Sequence, residues 1–285
     1  MPCYSPIHGY KGLNGQFTQN HAKSPTGLKM TIPCTKCIGC RLEHSRQWAT
    51  RMVHELKYHE DAVFITLTYN DKHLPENGSL NLTDWQEFMV KLRNHFAIKL
   101  YDSETKKTKR VYKNIKFYQA GEYGKTCQHC QQNKHSHDLQ TNGACNKWLE
   151  TFGRPHHHAI IYGITFDDLE FYKYSKAGEN VYTSATLSSL WTDENGESKG
   201  YTSVGNVTFE SCAYVSRYVT KKHKGTPESA KQHYRRLRTD IETGLLLAET
   251  PIKPEYATMS KGNRKRPSNK VHELFVVQYV HWMRS

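Results

Sequence analysis

Three histidines stand side by side at His156, His157 and His158, in the stretch GRPHHHAIIYG (153–163), just where an apolar, β-branched run begins. Alternate side chains of a strand share a face. His156 and His158 are therefore expected to point together, about 6.5–7 Å apart along the backbone, with His157 pointing the other way beside Ala159 and Ile161. Two imidazoles at that spacing can chelate one divalent ion from a rigid support. With 17 histidines in 285 residues, about one His-x-His arises by chance, so the triplet needs a partner. Glu122, in QAGEYG, closes a β run whose neighbour in the sheet is expected to be the histidine strand, which would put Glu122 beside His158. Two histidines and a carboxylate with open positions suit Mg2+ or Mn2+ bound to a phosphate. A solvent-facing strand end rich in histidine, with an ordinary strand-end glutamate, is the competing reading.

A second constellation lies in CAYVSRYVTKK (212–222). On a helix Tyr214 and Tyr218 are i and i+4 and share a face. Lys221 falls between them around the wheel, and Lys222 lies on the flank of the same arc. Cys212, Val215 and Val219 occupy the opposite side and supply the packing face, so the tyrosines are not the core stripe. A tyrosine hydroxyl, with a pKa of about 10, is a poor nucleophile until a cation lowers that value or a metal polarises its target. A neighbouring lysine and a metal-bound phosphate meet both needs.

The cysteines form a third signal. Cys34, Cys37 and Cys40 make C-x2-C-x2-C, and Cys127 and Cys130 make another C-x2-C. In a chain read as cytosolic, such spacing points to ligands rather than disulfides. Two structural Zn2+ sites are expected. One uses Cys34, Cys37 and Cys40 with Cys3 as the natural fourth ligand, or a histidine such as His8 or His44. The other is a knuckle of Cys127, Cys130 and Cys145 with His135 or His137. An iron–sulfur cluster uses similar spacing, but nothing else in the chain suggests redox chemistry. Cys212 reads as a packed core thiol.

Composition narrows the partner. The chain carries 40 Lys+Arg against 27 Asp+Glu, a net charge of +13, which favours a polyanion. No apolar run approaches the roughly 18 residues of a membrane span, and the first residues lack the apolar core of a secretory signal. A cytoplasmic protein with a nucleic-acid partner and no membrane is expected. The basic runs 106–110, 235–238 and 261–266 are expected to line a DNA path. Lys261, Arg264, Lys265 and Arg266 of SKGNRKRP, with Arg217 on the tyrosine helix, are the candidate DNA contacts. Tyrosines and tryptophans near them can stack on unpaired bases. No P-loop is present, so unwinding falls to another protein.

These groups need a scaffold. The spacing predicts a helix over 44–60 (Trp48, Met52 and Leu56 on one face), a strand over 62–70 and a helix entered by a Thr83/Gln86 capping box. Trp85, Phe88, Met89, Leu92 and Phe96 line one face of that second helix. An exposed hairpin or loop follows over 101–114, then strands over 113–124 and from 155, a tight hairpin at DENGESKG (193–200) and a helix over 212–224. The first 33 residues read as loop. The expectation is one domain over 1–285, with a Cys-rich N-terminal element (1–43), a Cys/His-rich insertion (125–150) and a basic C-terminal region (225–285). The fold class is α/β of the α+β kind: a mainly antiparallel sheet carrying the histidine strand, the two-tyrosine helix packed against it, and zinc-binding loop elements.

The combination resembles a known family. PHHHAII is similar to the His-hydrophobe-His strand motif of HUH endonucleases, with His157 in the middle position. FITLTYN resembles their first motif and YVSRYVTKK their third, in its two-tyrosine form. Together with MPCY and C-x2-C-x2-C, the set resembles the replication initiators of microviruses, single-stranded DNA phages of the gokushovirus type. That resemblance implies His156, His158 and Glu122 as ligands of a catalytic Mg2+ or Mn2+, Tyr214 and Tyr218 as nucleophiles, and Lys221 as their helper. It also implies rolling-circle initiation in the host bacterial cytoplasm. One tyrosine cuts single-stranded origin DNA, leaving a 5′-phosphotyrosine and a free 3′-OH for a host polymerase. The second tyrosine then allows the circle to be closed, and a host helicase unwinds. The insertion is longer than the family pattern, and SKGNRKRP does not map onto it. A zinc-containing single-strand binder without catalysis, and a metal phosphodiesterase using water, are the alternatives.

Overall fold

The computed structural model describes residues 3–102, 106–124, 153–175, 177–221, 227–239 and 246–260. In chain order its elements are β1 (Ile7–Lys11), β2 (Phe17–Thr18), β3 (Lys29–Ile32), α1 (Ile38–Leu56), β4 (Ala62–Thr68), α2 (Leu82–His95), β5 (Ile98–Asp102), β6 (Lys107–Val111), β7 (Lys116–Tyr123), β8 (Pro155–Tyr162) and β9 (Leu169–Tyr174). They continue with β10 (Asn180–Ser184), α3 (Ala185–Leu190), β11 (Thr202–Gly205), α4 (Phe209–Lys221), α5 (Pro227–His233), β12 (Arg235–Thr239), β13 (Leu246–Pro251) and β14 (Tyr256–Met259).

Seven of the strands pair into one sheet in the order β14-β7-β8-β4-β11-β10-β9, each antiparallel to its neighbours. The α+β architecture expected from the sequence is therefore present, and the histidine strand β8 lies inside the sheet between β7 and β4. Period-two alternation divides these strands between two cores. On one face Ile65, Leu67, Ala159 and Ile161 meet Trp85, Phe88, Met89 and Leu92 of α2 and Leu187 and Leu190 of α3. On the other, Tyr118, Ala120, Ile160 and Tyr162 meet Trp48, Ala49 and Met52 of α1 and Cys212 and Val215 of α4. Each of the buried Leu, Ile, Val, Phe and Met side chains among them contributes about 1.5–3 kcal/mol. The helices α1 and α4 approach through small residues, with the buried hydroxyls of Ser45 and Ser216 2.8 Å apart.

Three sequence expectations are corrected. Asn81 caps α2, its side chain accepting from the Thr83 N–H at 3.1 Å. The helix thus begins ahead of Thr83, and Thr83 is not the cap. The first 33 residues are not simply loop, because β1, β2 and β3 form a small antiparallel sheet. The C-terminal region is more than a basic tail, because β14 pairs with the free edge of β7 and completes the central sheet. The insertion at 125–150 lies outside the described residues.

Candidate active site

The strand register builds the first half of the site. On β8 His156 faces Glu122 of β7 and Thr68 of β4, while His158 faces Ala120 and Thr66. The rings of His156 and His158 lie parallel on one face with centroids 6.2 Å apart, as alternation requires. Glu122 stands opposite His156, and its carboxylate reaches diagonally to place Oε1 2.8 Å from His158 Nε2. The other nitrogen of that imidazole, Nδ1, is 2.9 Å from Thr66 Oγ1. A hydroxyl can donate or accept, so Thr66 fixes the ring whichever nitrogen carries the proton.

His156 differs. Its Nδ1 is buried and has no hydrogen-bond partner. Burial, reinforced by the neighbouring His158, pushes its pKa down to about 4, so near neutrality the ring is uncharged and keeps a lone pair. A buried imidazole nitrogen without a protein partner is unusual, and a divalent ion is one group that satisfies it. Gly124 admits the ring: a Cβ there would sit 3.1 Å from His156 Cε1. His156, His158 and Glu122 bring two imidazoles and a carboxyl group, donor types that suit a divalent cation, to one place on adjacent strands, although their ligand atoms do not gather within 4.8 Å of one another as those of the cysteine cluster do.

His157 belongs to the opposite face and to the core. It is fully buried, and burial lowers its pKa to about 3. Its Nε2 lies 3.0 Å from the Tyr69 hydroxyl, which donates to Asp84 Oδ2 at 2.8 Å. Its Nδ1 lies 3.1 Å from Gln119 Nε2. Lys199 in turn holds Asp84 at 2.5 Å. One proton arrangement satisfies every member: Gln119 donates to Nδ1, Nε2–H donates to Tyr69, and Tyr69 donates to the carboxylate. The middle histidine stiffens the back of the strand whose front bears the other two.

The helix α4 supplies the second half. Thr208 and Ser211 cap its start reciprocally, each hydroxyl accepting from the other's N–H, as in a capping box. Cys212 and Val215 are wholly buried on the face expected to pack, and burial pushes the Cys212 thiol up to about 12. Tyr214 lies on the other side, 39% exposed. Its ring meets His158 nearly at right angles with centroids 5.1 Å apart, and Phe64 at 6.2 Å. A tyrosine is thereby brought against His158 from a different element. Tyr218 and Lys221 fall in the next turn of α4. Lys222 lies outside the described residues. Arg217 is exposed, its Nε donating to the Ala213 carbonyl at 3.2 Å.

The N-terminal sulfurs also converge. Those of Cys3, Cys34, Cys37 and Cys40 all lie within 4.8 Å of one another, and backbone N–H groups aim at them: Cys34 N at Cys3, Cys37 N at Cys34, and Cys40 N and Tyr4 N at Cys37. Those from Cys40 and Tyr4 hold the Cys37 thiol down to about 6. His8 is instead bonded to Thr31, and His44 to the Trp48 indole, so the cluster's fourth member is Cys3. Four thiols in this arrangement could hold a metal. The second zinc expectation, on Cys127, Cys130, Cys145, His135 and His137, and the DNA contacts Lys261, Arg264, Lys265 and Arg266 lie outside the described residues.

Sequence reading did not find a further group, His73 with Asp193 and Glu197, which could also hold a metal. The DENGESKG hairpin, closed by the Asp193 N–H on the Glu197 carbonyl, carries the two carboxylates to His73, and Asp193 Oδ2 lies 3.2 Å from its Nε2. Lys72 already pairs with Glu197. Only the turn at 193–200 was visible beforehand. Thr66 was missed too, although its place in FITLTYN directly across from His158 is a consequence of register.

Fold and site define an α+β protein that presents two histidines and a carboxylate from the middle of an antiparallel sheet to a tyrosine on an overlying helix. The chain is 31% identical over 223 residues, 78% of its length, to the replication-associated protein VP4 of Bdellovibrio phage phiMH2K. It is 31% identical over 197 residues to the replication-associated protein ORF2 of Spiroplasma virus 4, and 28% identical over 195 residues to ORF4 of Chlamydia phage 1, also a replication-associated protein. The protein is thus a homologue of the replication-associated proteins of microvirus-like single-stranded DNA phages, as the motifs suggested. The matches span 58%, 48% and 38% of those proteins, so the chain covers about half the length of its relatives. No family model matches the chain, and no solved structure does. Among the described residues no helix is long and apolar enough to cross a membrane.

Proposed function

We propose that this protein is a metal-dependent HUH-type endonuclease and strand transferase that opens and rejoins single-stranded origin DNA in phage replication. The observation that carries the reading is the Tyr214 ring lying against His158, the imidazole that Glu122 and Thr66 hold from either side. A single-strand binder without catalysis requires no such convergence.

Held by His156, His158 and Glu122, Mg2+ or Mn2+ would polarise a phosphate oxygen and offset the charge that develops on it. The chain's own residues do the rest. Thr66 and the strand pairing keep the ligating rings fixed, so no reorganisation is needed as the reaction proceeds. The Tyr214 hydroxyl attacks phosphorus; the new bond is Tyr O–P, and the bond that breaks is P–O3′. The phenol proton is lost, and the departing 3′ oxygen takes one up to become the 3′-OH. Lys221 and Lys222 favour the phenolate by their charge. Because one phosphodiester replaces another, the same steps run backwards and need no ATP. Tyr218 performs the second transfer while Tyr214 remains occupied. The Cys3, Cys34, Cys37 and Cys40 cluster binds structural Zn2+ and pins the N-terminal sheet. Cys127, Cys130 and Cys145 with His135 or His137 would hold a second Zn2+ by their ligand types and spacing. The 3′-OH would serve a host polymerase behind a host helicase, in the host cytoplasm.

The test is a denaturing gel of end-labelled single-stranded origin DNA incubated with the protein in Mn2+ or in EDTA. A denaturant-resistant adduct on the 3′ fragment, formed only with metal and lost in the Tyr214→Phe/Tyr218→Phe double variant, is the expected result. Cleavage without an adduct would mean water attacks, and binding without cleavage would leave a zinc-stabilised binder.

A further inference from the structure

Among the described residues the strands β5 and β6 pair only with each other, as an antiparallel ribbon separate from the central sheet. Register sets Lys99 opposite Arg110 and Tyr101 opposite Thr108 on one side, and Leu100 opposite Lys109 and Ile98 opposite Val111 on the other, which Lys107 shares. All of β6 is exposed; on β5 Leu100 is 54% and Tyr101 68% exposed. Like charges directly opposite one another destabilise a strand pair. Around Lys99 and Arg110 the cross-strand neighbours on their side, Tyr101 and Thr108, offer no carboxylate to relieve it. The energetic cost of that pairing is recovered if the ribbon works against an anion.

The distribution of charge selects the kind of anion. Lys99 and Arg110 lie on one side of the ribbon; Lys107 and Lys109 lie on the other, where Asp102 stands opposite Lys107 and leaves a net positive charge. A single strand of nucleic acid offers one line of phosphates, to which one basic side would suffice. The major groove of a duplex, about 12 Å wide, admits a two-stranded ribbon and carries a phosphate backbone along each wall, matching cations on both sides. The ribbon also stands away from the candidate active site. It leads into the start of β7, where Lys116 faces Tyr162, whereas Glu122 faces His156 near the other end. Six residues of strand separate the two ends, about 20 Å.

We propose that the β5–β6 ribbon is a duplex-DNA arm: it enters the major groove of double-stranded DNA flanking the strand to be cut and holds it through phosphate contacts from both sides. This shares with the proposed function only the partner, DNA, and is independent of the tyrosine chemistry.

The test is fluorescence anisotropy of the full chain with a labelled duplex and with a single strand of the same sequence, across a salt series. The variants are Lys99→Gln/Arg110→Gln and Lys107→Gln/Lys109→Gln. Each removes two phosphate contacts, so each should weaken duplex binding and reduce the slope of log K against log salt by about 1.8, at about 0.9 per contact. Single-strand affinity and adduct yield on a single-stranded substrate should stay at the wild-type level, which also shows that the variants are folded. Unchanged duplex affinity and slope would overturn the assignment, as would an equal loss on single strands. Loss of the adduct in the wild type would count against the tyrosine reading alone, since duplex binding is scored without cleavage.

Discussion

Thr66→Val tests the geometry of the proposed metal cradle without touching a proposed ligand. The substitution is close to isosteric, yet it removes the hydroxyl that lies 2.9 Å from His158 Nδ1. His158 is buried, so no bulk water replaces the lost partner. A buried polar atom left unpaired costs about 1–3 kcal/mol. If metal binding at His156, His158 and Glu122 depends on the orientation of His158, affinity should fall in the range typical of lost outer-shell contacts, about 10- to 100-fold, or about 1.4–2.8 kcal/mol. Calorimetric titration with Mn2+ reads this directly, and thermal unfolding of the same samples in EDTA separates it from stability. Thr66→Ser, which keeps the hydroxyl, should bind Mn2+ within a few-fold of the wild type. An unchanged Mn2+ affinity in a folded Thr66→Val protein would refute the claim that this hydroxyl sets the ligating imidazole.

Gly124→Ala places a methyl 3.1 Å from His156 Cε1, so the ring must shift by a few tenths of an ångström; Mn2+ affinity should fall several-fold with little change in melting temperature. Trp85→Ala empties a fully buried site under β4 and β8 and should cost about 3–5 kcal/mol in urea denaturation. In metal-free protein, His156 and His157 keep folded pKa values of about 4 and about 3, below the usual value near 6.5. The unfolded chain therefore binds more protons between those limits, and stability should fall as pH drops from about 6.5 towards 4. His157→Gln should flatten that slope by about one proton, and an unaltered slope would contradict the burial argument. Cys40→Ser should lower the bound zinc, measured by a colorimetric chelator, by one ion per chain; no change would mean that the four sulfurs hold none.

What could be read in advance followed from periodicity. The β8 alternation separated His156 and His158 from His157, and the α4 wheel set Cys212 and Val215 against Tyr214; both arrangements are present in the fold. Features set by long-range pairing were hidden. YATM is too short and too ordinary to announce a strand, and it becomes β14 because β7 offers an unpaired edge and Gly121 leaves room for the Tyr256 ring. The small N-terminal sheet lacks an apolar run, and it leads into the stretch where Cys3, Cys34, Cys37 and Cys40 meet. The partners of the three histidines, Thr66, Gln119, Tyr69 and Asp84, are set by strand register and packing across the sheet, which no local motif encodes. At α2 the cap is Asn81, two residues ahead of the Thr83 expected from the Thr83/Gln86 box.

The most direct measurement is tandem mass spectrometry of the protein after reaction with single-stranded origin DNA in Mn2+ and trimming of the DNA by nuclease. Tyrosine transfer predicts a nucleotide joined through its 5′-phosphate to Tyr214 or Tyr218 in the peptide spanning α4, and its absence in EDTA. Cut DNA with both tyrosines unmodified, or a nucleotide attached through its 3′-phosphate, would contradict it.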